Sequence, residues 1–384
     1  MSKLIPIPIA GSLKRILFIV NSDWFFMSHR LPIGLEALRK NFQVHIATSI
    51  TDRKSILESY GFVVHPLHLT RGKSSLFSSI VSFWEMLIIL LKLKPDIVHL
   101  ITIKPVLFGG IAARLLGIRN IVISIPGLGY AFTDCAFLAS FRRACIEFLY
   151  SQALRQKNLK IIFQNPSDRD VVLGFANISK NSSIMIRGSG VDLKKYSFLP
   201  EPTGTPIVAM ASRLLKNKGV YEFVEAARIL NDRNINVQFC LYGTPDPENP
   251  MSVSEMEIAA WKREGIVDCA GFRSDISKAY SEANIVALPS FYGEGLPKSL
   301  IEASACGRAI ITTNMPGCRD AIIPGITGIL IPPRDALALA DAVEIILNNH
   351  ELRNKMGSAG RSFAEREFDI ANVVAVHMSI YESF

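Results

Sequence analysis

The stretch ALPSFYGEGLPKSLIEASACG, residues 287–307, decides the fold, because it passes from an apolar strand through a short polar loop into a helix. The strand ends at Pro289. Pro297 suits the first turn of a helix, where its missing N–H is not needed, and Gly307 is placed to end that helix. The helix would point its free N–H groups towards the end of the strand, which favours binding of a diphosphate.

Two glutamates flank this helix start. Glu294 lies in the loop, and Glu302 follows one to two turns into the helix. Ionised carboxylates are strong hydrogen-bond acceptors, so both are candidates to hold sugar hydroxyls. Each alone also fits an ordinary solvated loop or helix-surface glutamate. The pair around a strand–loop–helix junction is the more specific signal.

The rest of the chain repeats the alternation of short apolar strands with amphipathic helices. The strands are nearly continuous in apolar character, which is typical of parallel sheets covered by helices on both faces. This pattern predicts an α/β protein with doubly wound, Rossmann-like sheets. The predicted strands are residues 15–20, 42–47, 62–65, 96–100, 120–124, 160–163, 183–186, 206–211, 237–242, 266–270, 285–288, 309–312 and 327–331.

A length of 384 residues favours two domains. Residues 187–206 are rich in glycine and proline and are interpreted as the interdomain linker. The predicted domains are residues 1–190 and 191–384. Whether the last helical stretch, residues 369–381, packs back across the cleft is left open. In such proteins the ligand binds at the carboxyl ends of the strands, here in the cleft between the domains.

A second cluster, ASRLLKNKG at residues 211–219, follows the first strand of the C-terminal half. Arg213 offers a planar fork for a diphosphate, and Lys218 offers a mobile point charge. Their position at a strand end before a helix favours a role in neutralising a departing diphosphate. For Lys216 an ordinary basic surface loop is the better interpretation.

Composition narrows the class of protein. Apolar residues make up 49% and charged residues 20%, as in a globular protein. The six cysteines stand singly without metal-ligand spacing, which indicates reduced, mostly buried thiols of a cytosolic protein. The N-terminus does not predict a signal peptide. The apolar stretch 76–91 contains Glu85 and does not predict a membrane-spanning helix.

Charge is distributed unevenly. Residues 1–190 contain 23 Lys and Arg against 10 Asp and Glu, whereas the remainder is net acidic. A basic half indicates an anionic partner such as phosphate or an acidic lipid surface, although a merely solvated basic face explains it equally well. Nucleic acid is disfavoured, because no RNA- or DNA-binding motif accompanies the dispersed charge.

Arg213 and Lys218, followed by Glu294–x7–Glu302 in EGLPKSLIEA, resemble the donor site of family 4 glycosyltransferases of the GT-B fold. The resemblance implies a retaining, metal-independent enzyme that needs no cofactor besides its co-substrate, a UDP-sugar. It implies that the Arg and the Lys bind the diphosphate, that the first Glu faces the donor sugar and that the second binds ribose hydroxyls. Gly295, Leu296 and Pro297 complete the implied donor site.

In the N-terminal half, three segments look like bacterial enzymes that extend undecaprenyl-diphosphate-linked saccharides for O-antigen, capsule or glycoprotein glycans. They are NSDWFFMSHRLP (21–32), DIVHLITIKPVLFGG (96–110) and ISIPGLGYAFTD (123–134). Because these segments follow strand ends that face the predicted cleft, the candidate acceptor residues in them are Ser22, Trp24, His29, Arg30, Lys104 and Gly129.

His99 ends a buried strand, and its place there favours a catalytic role over that of a hydrogen-bonded core histidine. The aromatic run at residues 24–26 is interpreted as part of a loop. It suits contact with a lipid or a sugar face, and packing into the core is an equal alternative.

Together these features predict transfer of a hexose-type sugar from a nucleotide sugar to a polyprenyl-diphosphate saccharide. Because such an acceptor stays in the bilayer, we expect a cytoplasmic protein that attaches peripherally to the inner leaflet of the cytoplasmic membrane. A sugar-nucleotide 2-epimerase of the same architecture is an alternative, but it needs no basic, aromatic acceptor loops. A non-catalytic glycan-assembly protein is another, although it would not need Arg213, Lys218, Glu294 and Glu302 intact.

Overall fold

The computed structural model describes residues 13–69, 76–128 and 137–384, which contain two parallel β-sheets. The strands of the first sheet are β1 (Arg15–Ser22), β2 (Gln43–Ser49), β3 (Val63–Pro66), β4 (Ile97–Ile101), β5 (Asn120–Ile125), β6 (Asn158–Phe163) and β7 (Ser183–Met185). Their spatial order is β3-β2-β1-β4-β5-β6-β7, so the chain starts in the middle and winds outwards in both directions. This is the doubly wound arrangement expected from the sequence.

The second sheet is wound in the same way, from its middle outwards. Its strands are β8 (Ile207–Ala211), β9 (Gln238–Tyr242), β10 (Val267–Gly271), β11 (Ile285–Leu288), β12 (Ala309–Thr313) and β13 (Gly328–Ile331). They are ordered β10-β9-β8-β11-β12-β13, with every neighbouring pair parallel. The predicted α/β class with two Rossmann-like sheets is confirmed.

Helices connect the strands in both sheets. In the first half they are α1 (Asp23–His29), α2 (Leu31–Arg39), α3 (Lys54–Ser59), α4 (Leu76–Leu93), α5 (Gly110–Leu115), α6 (Phe137–Ala153) and α7 (Pro166–Phe175). In the second half they are α8 (Val220–Asp232), α9 (Glu255–Glu264), α10 (Ile276–Ser281), α11 (Lys298–Ala305), α12 (Ala336–Leu347), α13 (His350–Glu367) and α14 (Ile370–Glu382).

Strand β1 shows why its sequence is apolar without alternation. Ile16, Phe18 and Val20 belong to one buried cluster, whereas Leu17 and Ile19 belong to another on the opposite face of the sheet. Since successive side chains of a strand point to opposite faces, both faces must be covered by helices.

The segment after β1 differs from the expectation. The aromatic run at residues 24–26 was interpreted as part of a loop, but β1 continues to Ser22 and the helix α1 begins at Asp23. The helix buries Phe26 completely, edge-on to Phe18 and Phe62. Phe26 is therefore part of the core, while Trp24 and Phe25 are half-buried.

The chain crosses between the halves twice. Residues 187–206 contain no helix or strand, and within them Val191 pairs with the backbone at Phe368 and Ile370. Helix α14 then packs against α2 and buries Tyr381 among residues of the first sheet. The final helix thus belongs to the core of the N-terminal half, and the boundary at residue 190 stays a prediction.

No helix among the described residues is both long and apolar enough to pass through a bilayer.

Candidate active site

The carboxyl ends of the two sheets meet at a very close backbone contact. The loop after β11, residues 293–296, is named here the Glu294 loop, and it lies against Pro126 and Gly127 after β5. A Cβ on Gly295 would stand 2.3 Å from the Pro126 carbonyl oxygen, and one on Gly127 would stand 2.7 Å from the Gly295 nitrogen. Only glycine allows this approach, so both positions are fixed by packing between the two halves.

Lys218 and Glu294 form the centre of the site. The Lys218 ammonium is ion-paired with Glu294 Oε1, and the side chains are only 14% and 11% exposed. Ser290 Oγ donates a second hydrogen bond to the same oxygen at 3.0 Å. A charge-assisted pair that is largely removed from water has a well-defined geometry. The two sequence clusters therefore come together, although they are far apart in the chain.

Helix α11 follows the Glu294 loop directly. Pro297 is the residue that precedes its first turn rather than its first residue, with φ −62° and ψ 121°. Leu296 and Pro297 are buried, so the loop enters the helix without solvent contact. The N–H groups of the first turn are the partially positive end of the helix.

Glu302 is buried in α11 instead of lying on the helix surface. The Tyr196 hydroxyl donates to its Oε1 at 2.7 Å, and Lys298 Nζ lies 3.6 Å from the same oxygen. Burial raises the pKa of Glu302, against the opposing effects of Lys298 and Tyr196. The carboxylate is thus held in one orientation.

Arg213 is exposed and pairs with Asp246, whose Oδ2 accepts from its guanidinium at 2.9 Å. This partner was not anticipated from the sequence. Lys216, interpreted as a surface lysine, lies over the ring of Tyr221 at 5.6 Å and is exposed. The Arg213 side chain is 42% exposed, so this pairing does not enclose it.

The N-terminal half contributes the opposite wall. Lys298 Nζ donates to the backbone oxygen of Ser28 at 2.6 Å, which ties α11 to α1 across the cleft. His29 is half-buried and stacked on Phe25 with ring centroids 4.2 Å apart. Burial, together with the charges of Lys298 and Arg30, lowers the pKa of His29 well below its usual range. His29 is therefore neutral at physiological pH.

Two residues predicted for the site lie beneath it. Arg30 is buried and donates to the His29 carbonyl oxygen at 3.0 Å, and burial lowers its pKa to about 10. His99 is fully buried, with Nδ1 2.6 Å from the Tyr381 hydroxyl and Nε2 2.7 Å from Ser124 Oγ. Because both ring nitrogens are occupied, the geometry favours a core histidine, the alternative that the sequence left open.

The remaining acceptor candidates are placed differently. Ser22 is buried at the end of β1, and Trp24 is half-buried in the first turn of α1. Lys104 is half-buried after β4, and burial lowers its pKa. Thr102, two residues before Lys104, has φ +75°, an unusual conformation for a β-branched residue and a mark of local strain. Gly129 lies outside the described residues.

Sequence reasoning missed the turn between β6 and α7. Asn165 Nδ2 donates to the backbone oxygens of Glu294 at 3.3 Å and Gly295 at 2.9 Å, and Gln164 Oε1 accepts from the Leu296 N–H at 3.2 Å. The Asn-Pro pair before a helix signals an N-cap. It carries no sign of a contact with a loop 129 residues further along the chain.

Asp23 was missed as well. Its buried carboxylate accepts from the N–H groups of Trp24, Thr51 and Arg53 and from the Thr51 hydroxyl. Burial raises the pKa of Asp23, but these hydrogen bonds outweigh it and lower the pKa overall. Asp23 therefore fixes the start of α1 relative to the end of β2.

In the part of the chain that the structure describes, no group of three or more His, Cys, Asp and Glu is arranged to hold a metal ion.

Comparison with known proteins gives consistent matches along the chain. Residues 194–363 match the family model described as "Glycosyl transferases group 1", and residues 15–165 match "Glycosyl transferase 4-like". The chain is 29% identical to N,N'-diacetylbacillosaminyl-diphospho-undecaprenol alpha-1,3-N-acetylgalactosaminyltransferase of Campylobacter jejuni, with 88% of this chain and 91% of the relative aligned. It is 26% identical to the capsular polysaccharide biosynthesis glycosyltransferase CapM of Staphylococcus aureus, with 91% and 92% aligned. The fold resembles Anabaena HepE, solved with UDP and glucose, with a TM-score of 0.75 at 15% identity over 96% of this chain and 99% of that one.

Asp168 gives a prediction on stability. It is buried next to Asn165, and burial raises its pKa to about 6 from the ordinary 3.8. Because the folded protein binds this proton more tightly than the unfolded chain, the stabilisation is complete below the unfolded pKa and is lost as the pH rises through about 6. We therefore expect Asp168→Asn to gain stability relative to wild type between about pH 4 and pH 7, by up to about 3 kcal/mol.

The measurement is the difference in urea midpoint between variant and wild type across that pH range, with the exposed Asp170→Asn as a control. A difference for Asp168→Asn that does not change with pH would contradict the assignment.

Proposed function

Because the chain belongs to the glycosyltransferases of the GT-B fold, with group 1 and 4-like domains over its two halves, we propose that it transfers a hexose-type sugar from a UDP-sugar to a lipid-diphosphate-linked saccharide and retains the anomeric configuration. The proposal on the acceptor is supported by the relative from Campylobacter jejuni, whose name specifies an undecaprenol-linked substrate. A third relative, from Escherichia coli, is named for transfer to a diphosphoundecaprenol-linked sugar.

The buried ion pair between Lys218 and Glu294 next to the start of α11 is the observation that carries this function. When the bond between the anomeric carbon and the diphosphate breaks, negative charge develops on the departing UDP and positive character on the sugar. In this proposal Lys218, Arg213 and the N–H groups of α11 stabilise that negative charge. Of these groups, Lys218 is already held in the site by its pair with Glu294.

Glu294 is proposed to orient the donor sugar. Its Oε1 already accepts from Lys218 and Ser290, so its free lone pairs are directed rather than mobile. A carboxylate so engaged is a good acceptor for sugar hydroxyls and a poor nucleophile. Retention then requires the acceptor hydroxyl to approach from the side of the departing diphosphate, which takes up the hydroxyl proton. Glu302, oriented by Tyr196, is proposed to receive the ribose hydroxyls.

The acceptor is proposed to lie against α1 and the segment after β4. Neutral His29, stacked on Phe25, offers a flat surface and a hydrogen-bonding nitrogen to a sugar. Lys104 offers a cation for the lipid diphosphate. Ser22, Arg30 and His99 lie deeper, and we propose that they hold this wall in place. Gly129 stays a predicted acceptor residue from its motif.

A polyprenyl-linked acceptor requires the enzyme to reach a membrane surface, and helix α4 carries a suitable face. Five large apolar residues on α4 are between 45% and 75% exposed. Their spacing of three or four places them on one side of the helix. They are Phe77, Ile80, Trp84, Ile88 and Leu91. This set is named here the α4 stripe.

Neighbouring helices also carry exposed apolar side chains. Leu115 at the end of α5 and Phe148 on α6 are 69% and 62% exposed, and α5 packs against both α4 and α6. Residues 76–157 contain nine Lys and Arg against four Asp and Glu. An apolar stripe in a basic surface fits an anionic leaflet, because charge attracts and inserted side chains add salt-independent affinity. The aromatic run at residues 24–26 is less suited to insertion, since Phe26 is core.

The donor site gives the first functional prediction. Lys218→Ala and Glu294→Ala should each lower turnover by about 100-fold or more, because each removes a group oriented towards the transition state. Transfer is measured as UDP released with a synthetic polyprenyl-diphosphate saccharide, and folding by thermal melting. Lys278→Ala, which disrupts an exposed ion pair with Glu282, is the control. Near-normal turnover of both site variants would rule out this assignment.

Membrane attachment through the α4 stripe gives the second functional prediction. The double variant Trp84→Glu, Ile88→Glu should bind vesicles of phosphatidylglycerol at least about tenfold more weakly than wild type, at low and at high salt. Leu337→Glu on α12 is the matched control, because Leu337 is 54% exposed and Trp84 is 55% exposed. Co-sedimentation that is equal for wild type and the double variant would refute the α4 stripe as the attachment surface, as would absence of wild-type binding.

A further inference from the structure

The turn between β6 and α7 holds the Glu294 loop by its backbone, although the two belong to different sheets. Asn165 Nδ2 donates to two successive carbonyl oxygens, those of Glu294 and Gly295, at 3.3 and 2.9 Å. Gln164 Oε1 accepts from the N–H of Leu296 at 3.2 Å. Three successive residues of the loop therefore depend on two adjacent side chains of the N-terminal half.

Asn165 is itself rigid. It is fully buried, its Oδ1 accepts from the Asp168 N–H at 2.8 Å, and its Nδ2 also donates to Asp168 Oδ2 at 2.8 Å. The first of these bonds makes Asn165 the N-cap of α7. Both ends of the amide are thus engaged, and its direction towards the Glu294 loop is determined by the start of a helix.

The other side of the loop is closed as well. A Cβ on Gly317 would stand 2.4 Å from the carbonyl oxygens of both Glu294 and Gly295. The loop backbone therefore lies between Gly317 of the C-terminal half and the Asn165 amide of the N-terminal half. Without the amide, these two buried carbonyl oxygens would lose a hydrogen bond that no other side chain in the described contacts supplies.

We propose that Asn165 is a positioning residue for Glu294: its amide holds the backbone of the Glu294 loop and thereby fixes the carboxylate that faces the donor sugar. The consequence for turnover rests on the proposed glycosyl transfer, whereas the effect on the loop does not. The proposed contacts with the diphosphate come from Arg213, Lys218 and α11, all in the C-terminal half. Loss of the Asn165 contact should therefore spare UDP binding and impair the chemical step.

Asn165→Ser separates the two roles of this side chain. Serine is a good N-cap and keeps α7, but it is too short to reach the carbonyl oxygens of the Glu294 loop. Ser167→Ala is the matched control, because it removes another hydrogen bond between the halves, from Arg319 to Ser167 Oγ at 3.0 Å, without contact to the loop. Both variants are made in the full chain and compared by thermal melting.

Two measurements are made on each protein. In steady-state transfer, Asn165→Ser should lower kcat at least about 20-fold with UDP affinity within about threefold of wild type, whereas Ser167→Ala should stay close to wild type. In hydrogen exchange with UDP bound, the amide of Leu296 and its neighbours should exchange at least about tenfold faster in Asn165→Ser alone.

The outcomes are separable. If wild type transfers sugar but Asn165→Ser matches Ser167→Ala in both measurements, the positioning role is wrong and the proposed function stands. If wild type transfers no sugar, the proposed function fails, and hydrogen exchange alone decides the positioning role. In either case, a rate of hydrogen exchange in the Glu294 loop of Asn165→Ser that equals the wild-type rate overturns the positioning role of Asn165.

Discussion

The backbone of the Glu294 loop is the constraint on which the rest of the site depends, because both halves of the chain hold it. Only glycine fits at position 295, because a Cβ there would clash with the Pro126 carbonyl oxygen. From the N-terminal half, the Asn165 amide donates to the backbone of the loop. The loop leads directly into α11 and carries Glu294 onto Lys218. The contact between the halves and the proposed donor site are therefore parts of one structure.

Burial of charge explains why the site is stable in one arrangement. Lys218 and Glu294 are largely removed from water, and separating such a pair leaves a charge without compensation, which costs about 3–5 kcal/mol. Beneath the opposite wall, burial lowers the pKa of both His99 and His377, so they stay neutral beside the buried Arg30. Tyr381 of α14 completes this network through His99. The last helix thus stabilises the N-terminal wall with residues from the end of the chain.

The strands, and the presence of Lys218 and Glu294 in one site, could be predicted from sequence patterns, whereas the ion pair between the two side chains was not predicted. Apolar runs identify strands, and parallel strands bring their carboxyl ends to one edge. Asn165 could not be predicted, since its contact with the loop depends on how the two halves meet. His99 at a strand end fits either a cleft or a core, and only the positions of Tyr381 and Ser124 distinguish them. Likewise, the sequence of α4 does not show which of its apolar residues are exposed, because this depends on how the helix packs against its neighbours.

The central claim is that cationic side chains and a helix N-terminus stabilise the departing diphosphate while the sugar keeps its anomeric configuration. The most direct measurement is proton NMR of the product formed from a UDP-sugar and a polyprenyl-diphosphate saccharide in excess EDTA. The account predicts one new glycosidic bond per UDP released, with the anomeric coupling of the donor preserved and turnover unaffected by chelation. An inverted anomeric coupling, or turnover restored only by a divalent cation, would contradict it.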